Sequence, residues 1–287
     1  MAPATDLPVS NTSFIVGLRP LLKTPQFYWF LGHASAIFFT ILCSLFSLFR
    51  SPLAPTPLKY YNYSLNCIIF TYLIVLRQSY KSRPILTLLA QYPTLLKDDN
   101  VQYLSLALLF RLSSKFPGPI QGGLYPFVIF AIFHSINYIK SYLLPILPLD
   151  INMKNYYSNL ITTIITNYNE QSLYVAANTE VVLIIQVIFT LIKLFLLFGW
   201  LRSNPIKTLK NLAVSIGIII FIKFRYDQSK FTKAIINSYD LKINQILYSS
   251  PYIPESFRTI YQVIKKFIIT YIGPIRVPIQ RNIRKND

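Results

Sequence analysis

Apolar residues run along this chain in long blocks, separated by short polar breaks rich in proline. Residues 29–49 contain no formal charge and carry aromatic side chains at their start. That length matches the roughly 20 residues needed to cross a bilayer, so a first transmembrane helix is expected there. Arg50 and the Pro52, Pro55, Pro57 cluster stop it. A second apolar run, 60–76, is weakened by Asn62 and Asn66 and closed by Arg77, and reads as the return arm of a hairpin. Residues 101–112 are apolar but meet Arg111, Lys115 and Pro117-Gly118-Pro119 too soon to span, so an interfacial or buried helix is expected. Residues 120–139, with His134 inside, form the third expected crossing, and 181–201 the fourth. Between them, 150–172 is polar and rich in Asn and Tyr. Residues 209–222 are apolar but short, and periodicity leaves open whether they dip into one leaflet or add a crossing.

The expected fold is an all-α polytopic membrane protein with about four transmembrane helices, six at most, and C-terminal amphipathic helices. Three regions follow: a flexible leader (1–28) punctuated by Pro3, Pro8, Pro20 and Pro25, a helical membrane domain (29–222), and a basic tail (223–287).

Composition strengthens this reading. Hydrophobic residues make up 53% of the chain and charged ones only 13%, which excludes an ordinary water-soluble domain. The formal net charge of +18 calls for a negative partner. Zinc-ligand spacing, helix-turn-helix spacing and glycine-rich aromatic strand motifs are all missing, so no nucleic acid is expected, and anionic lipid is the partner the charge implies. Lys and Arg concentrate in the leader, in 77–119 and in the tail, whereas 50–59 and 140–173 carry few. Both termini are therefore expected in the cytosol; a six-crossing arrangement gives the same result. A cleaved signal peptide is not expected.

Little points to catalysis. Cys43 and Cys67 lie in apolar runs and read as core residues. With only two histidines, and neither a nucleophile elbow, a phosphate loop nor paired carboxylates, no enzyme, cofactor or metal is expected. In the four-crossing arrangement His33 sits near the cytosolic end of its helix and His134 roughly 10 Å deeper, too far apart to act together. Glu180 is placed at the lumenal headgroups, and Lys193 can partly snorkel. The sequons Asn11-Thr12-Ser13 and Asn62-Tyr63-Ser64 read as chance matches. A small transporter or channel is the alternative, disfavoured because no Asp or Glu lies in the middle of a crossing.

The tail carries the strongest patterning. Phe231, Ile235, Tyr239 and Ile243 recur at helical spacing, followed by Ile246. Beyond Pro251 and Pro254, a second helix places Phe257, Ile260, Tyr261, Ile264, Ile268 and Tyr271 on one face, with Thr259, Gln262, Lys266 and Thr270 opposite. These apolar faces are candidate membrane-binding surfaces. Arg258, Lys265, Lys266, Arg276, Arg281, Arg284 and Lys285 are the candidate contacts to anionic lipid or to an acidic receptor surface.

The segment Thr24-Pro-Gln-Phe-Tyr-Trp-Phe-Leu-Gly-His33 resembles the opening signature of the transmembrane protein 33 family, whose fungal branch includes a pore-membrane nucleoporin and an endoplasmic-reticulum paralogue. The stretches from Ser79 to Pro84, Leu96 to Tyr103 and Phe224 to Phe231 resemble it in the same order. The resemblance implies a noncatalytic protein of the endoplasmic reticulum and nuclear envelope, organising tubular membrane and supporting nuclear pore distribution or assembly. It also implies a tail that binds curved membrane and an import receptor, with nucleoporins and reticulum-shaping proteins as further partners.

The charge asymmetry yields a direct test of topology. Tags placed before Met1 and after Asp287 are both expected to be digested by protease added to intact microsomes, and protection of either would overturn the cytosolic placement.

Overall fold

A computed structural model describes residues 14–114, 118–120, 122–195 and 205–276. Among them the chain is α-helical, in eleven α-helices. A short α1 (Phe14–Leu21) leads into α2 (Pro25–Phe49), and α3 (Pro55–Ser79) returns alongside it. After the small α4 (Ile85–Ala90) and α5 (Tyr92–Lys97) come α6 (Asp99–Ser113) and α7 (Tyr125–Tyr138). The path of α7 continues through a π-turn and a 3-10 turn to Ile146. Then follow α8 (Ile151–Phe195), α9 (Pro205–Gln228), α10 (Lys230–Ser249) and α11 (Glu255–Phe267).

The sequence starts α2 sharply. Thr24 accepts the Phe27 N–H at 3.3 Å, and Pro25 fills the first turn, where its missing N–H is not needed. Gly32, His33, Ala36 and Thr40, spaced about one turn apart, form the buried stripe of α2. A methyl group at Gly32 would stand 2.5 Å from the Thr71 methyl, so only glycine admits α3 this closely. The stripe ends in a polar clasp: the Thr40 and Ser64 hydroxyls lie 2.7 Å apart, and Ser64 donates to the Ala36 carbonyl at 3.1 Å. Small residues and interhelical hydrogen bonds hold helices together where lipid removes the hydrophobic drive.

The core draws on α2, α3, α6, α7, α8 and α9, with Leu65, Leu106, Phe110, Phe127, Leu183 and Ile218 at its centre. Cys43 and Cys67 pack against it as free thiols. Four stretches are long and apolar enough to cross a membrane: Pro25–Phe49, Tyr125–Ile146, Ile151–Ile192 and Pro205–Gln228. The first and third expected crossings fall on the first two of these. The expected fourth crossing, 181–201, coincides through residue 195 with only the later part of the 45-residue α8, and its residues 196–201 lie outside the described residues. The 209–222 run grows into the full α9, while the run at 60–76 lies within α3, less apolar than the four.

The charge count sets the 140–173 segment at the opposite end of the bundle from the leader, and the structure overturns this: the Phe30 and Tyr138 rings stack with centroids 4.6 Å apart, and Gly17 lies against Ile146. The reason is α6. An interfacial α6 would reverse the direction in which α7 and α8 run. In the structure it is a core helix packed between α3 and α9. The far end gathers the α2–α3 turn, where Leu53 approaches Gly118 and Tyr61 accepts the Ile120 N–H at 3.2 Å.

At the leader's end, α6, α8, α9 and α10 converge on a buried ion cluster. Arg225 donates through Nη1 to Asp99 at 2.8 Å and through Nε to Glu180 at 3.4 Å, while its guanidinium lies over the Tyr103 ring. Glu180 is fully buried and also accepts from the Tyr103 hydroxyl and, at 3.4 Å, from Thr232. Its expected place at the lumenal headgroups is therefore wrong: the unbroken α8 carries it beside the C-terminal end of α9.

R225M leaves this carboxylate without its charge partner and is expected to destabilise the purified protein by about 3–5 kcal/mol, whereas E180L/R225M recovers most of the loss. Detergent unfolding curves of the single and double variants check this, and a double variant as weak as R225M would contradict it.

Candidate functional site

The tail begins inside the bundle. Residues 223–228 complete α9, so the boundary expected at 223 falls within a helix. Ser229 then caps α10 by accepting the Thr232 N–H at 3.2 Å. The first half of α10 packs on α8: Ile235, 1% exposed, meets Ala177 and Val181, with Phe231 beside them. Ile235 is thus a protein contact. Tyr239 donates to Asn178 at 2.6 Å, and Ile243 and Ile246 are exposed further along.

After the turn at Pro251, α11 folds back on α10 along a narrow polar edge. Arg258 donates from Nε to the Leu247 carbonyl at 2.8 Å and from Nη2 to the Ser250 carbonyl at 3.2 Å, while its guanidinium covers the Tyr248 ring. These carbonyls end α10, where the helix dipole favours a cation. One turn on, Tyr261 donates to Asp240 at 2.6 Å, and Lys265 reaches the other oxygen of that carboxylate at 2.8 Å. Positions 258, 261 and 265 share one edge of a helix, and Gln262 beside them donates to the Tyr248 hydroxyl at 3.2 Å, so a polar strip docks α11.

The docking leaves the apolar arc uncovered. Phe257, Ile260, Val263, Ile264, Phe267, Ile268 and Tyr271 are each 46–65% exposed. Val263 and Phe267 extend the arc beyond the sequence-based set. Tyr261 turns from that set to the docking edge. Of the candidate cations, Arg258 and Lys265 are engaged within the hairpin, whereas Lys266 and Arg276 are exposed. Arg281, Arg284 and Lys285 lie outside the described residues. Sequence patterning does not separate these groups, because Asp240, the acceptor that engages Lys265, lies in another helix.

Two intramembrane features also come together. The His33 and His134 rings have centroids 5.2 Å apart, and Trp29 contacts both, at 4.6 and 5.0 Å. The expected separation in depth is overturned because α7 runs on to Ile146 at the leader's end. No group of three or more His, Cys, Asp or Glu that could hold a metal occurs among the described residues.

The hairpin latch has a pH signature. Hydrogen bonds from Lys265 and Tyr261 hold the Asp240 carboxyl below its ordinary range. A depressed carboxylate stabilises the docked state above the ordinary range and loses that contribution as pH falls through the lowered value. Burial and the bond to Asp240 push the Tyr261 hydroxyl up to about 12, so its contribution is full below the ordinary tyrosine range and disappears as pH rises through that value. D240N is therefore expected to speed amide exchange across 255–272 at neutral pH without affecting α2 and α3, and unchanged exchange would contradict the latch.

Comparison with known proteins places this architecture. A family model described as Transmembrane protein 33/Nucleoporin POM33 matches residues 18–202. The chain is 34% identical over 266 residues to the Saccharomyces cerevisiae protein named "Pore and endoplasmic reticulum protein of 33 kDa", covering 91% of this chain and 94% of that one. It is 30% identical over 270 residues to "Tetra-spanning protein 1" of Schizosaccharomyces pombe, covering 88% of each. It is 26% identical over 277 residues to the Saccharomyces cerevisiae "Pore membrane protein of 33 kDa", covering 92% of this chain and 89% of that one. No solved structure matches. With the family model spanning most of the helical bundle and a relative matching nearly end to end, this all-α membrane protein belongs to the Transmembrane protein 33/Nucleoporin POM33 family.

Proposed function

We propose that this chain is a noncatalytic protein of the endoplasmic reticulum and nuclear envelope that organises curved membrane and contributes to nuclear pore complex distribution or assembly. The uncovered apolar arc of α11 carries this reading. Docking through a polar edge fixes the helix against α10 while leaving its greasy side free, the arrangement of a helix that lies in the headgroup plane. The names of the relatives support the location, joining pore and endoplasmic reticulum in one protein.

In this reading α11 enters packing defects of strongly bent bilayers. Each apolar side chain that inserts contributes roughly 1.5–3 kcal/mol, against about 1 kcal/mol for a cation near anionic lipid, so the arc outweighs the charge. Lys266 and Arg276, with Arg281, Arg284 and Lys285, add lipid attraction and offer the basic stretch that an import receptor would read. Both termini face the cytosol, within reach of such a receptor, of nucleoporins and of reticulum-shaping proteins.

The test uses the full chain reconstituted in giant vesicles from which thin tubes are drawn. The wild type is expected to concentrate in the tubes, I264E/I268E to lose the enrichment, and K266Q to lose part of it on anionic vesicles only. Equal sorting of I264E/I268E and wild type would mean that the arc packs against protein. In cells, the wild type is expected as puncta at the nuclear rim coincident with pores, and an even reticular signal would remove the pore role.

A further inference from the structure

At the leader's end, the last part of α7 and the first part of α8 form a hairpin that reaches past the bundle. With 45 residues α8 runs about 67 Å, more than twice the roughly 30 Å hydrocarbon core of a bilayer. Its apolar later part is the portion suited to lipid, which leaves the Asn- and Tyr-rich beginning outside. The contacts agree. Asn169 and Ser172 line one cavity with Trp29, in the second turn of α2. Earlier residues stand farther out: Lys140 donates to the Thr162 hydroxyl at 2.7 Å and, near the tip, Lys154 donates to the Pro145 carbonyl at 2.8 Å. Residues 151–168 thus form a stalk about 27 Å long beyond the level of Trp29.

One side of the stalk packs on α7, and the opposite side is open. There Met153, Tyr156, Tyr157, Leu160 and Tyr168 are each 37–62% exposed. At 3.6 residues per turn they share with Ile164 a sector of about 120°. Positions 153, 157, 160 and 164 are spaced by four, three and four residues, the spacing of a coiled-coil seam, and the further step of four to 168 is a stutter that locally unwinds such a seam. Exposed Tyr and Met without Lys or Glu among them is also the composition found at the centre of protein interfaces. The tail leaves this sector open, because α10 meets α8 lower down, with Ile235 against Ala177 and Val181.

Charge and membrane geometry select the occupant. Residues 140–170 carry Lys140 and Lys154 against Asp150 and Glu170, so the hairpin is neutral and all of the chain's +18 lies elsewhere. A second copy is repelled where that excess gathers and meets no repulsion here. Two copies inserted in one membrane point the same way. Their α8 helices then run parallel, and across a twofold axis each residue faces its own counterpart. A charge on the seam would meet itself, but Lys154 and Glu170, the charged residues of 151–168 and its next turn, both fall outside the open sector. We propose that this face pairs with the same face of a second copy, as a parallel two-stranded coiled coil of α8 stalks that holds two bundles side by side. Confinement to one membrane raises the effective concentration, so a short seam suffices. The proposal is independent of α11 and of the tail's role at membranes.

The experiment uses the full-length protein in liposomes. Under mild oxidation with copper phenanthroline, L160C is expected to form a disulfide-linked dimer. N159C, at the same height but off the seam, and the wild type, with its free Cys43 and Cys67, are expected to stay monomeric on denaturing gels. Equal crosslinking of N159C and L160C would mean chance collision and would overturn the seam. Single-molecule photobleaching at low protein density is expected to show two steps for the wild type. Y157E/L160E is expected to dimerise about tenfold more weakly or worse, because two apolar contacts are lost and like charges face each other. Both side chains lie outside the core, and unchanged circular dichroism checks that the variant folds. Single-step bleaching of the wild type would overturn the pairing and leave the face to another protein or to headgroups, and two-step bleaching retained in Y157E/L160E would place the contact elsewhere. Should Y157E/L160E fail to fold, the comparison of L160C with N159C still decides the question.

Discussion

The structure turns on Arg225. Its guanidinium sits at the end of α9, where it meets Asp99 from α6, Glu180 from α8 and the face of Tyr103. Such a group cannot stay buried without partners, and the buried Glu180 carboxylate cannot stay so without it. The pairing therefore fixes the relative level of three helices that are far apart in sequence. Through Thr232 on Glu180 it also sets where α10 begins. Everything C-terminal to it, the packing of Ile235 on α8 included, is positioned from this point.

The tail shows how one helix divides its chemistry by edge. Arg258, Tyr261 and Lys265 bind α10 through carbonyls and a carboxylate, groups that water would otherwise satisfy. The pairs on this edge are partly exposed, so each contributes little alone. Their function is orientation: they hold α11 with its apolar arc turned away from α10. A hydrophobic docking edge would have buried part of the arc.

What was legible in the sequence follows from local physics. A chargeless run at 29–49 forms a helix long enough to span, and Thr24 with Pro25 marks its start. The amphipathic helix beyond Pro254 appears where its periodicity places it, from Glu255. The order of the short matching segments sufficed to indicate the family, and the comparisons agree. The α2 stripe of Gly32, Ala36 and Thr40 was equally present in the sequence, but it becomes readable only once α3 is known to lie against it.

The sequence by itself determined that the chain is a bundle of apolar helices with a basic, amphipathic end, because apolar length, charge asymmetry and periodicity are local properties. Only the tertiary structure decided the directions of α7 and α8, since the 15-residue α6 is too short to be recognised by length and is secured by its neighbours. It alone decided that Glu180 is buried against Arg225, that His33 meets His134, and that Lys265 is bound to Asp240 while Lys266 stays exposed. Each of these is a pairing between residues distant along the chain, and its energy exists only when the helices carrying both partners have packed.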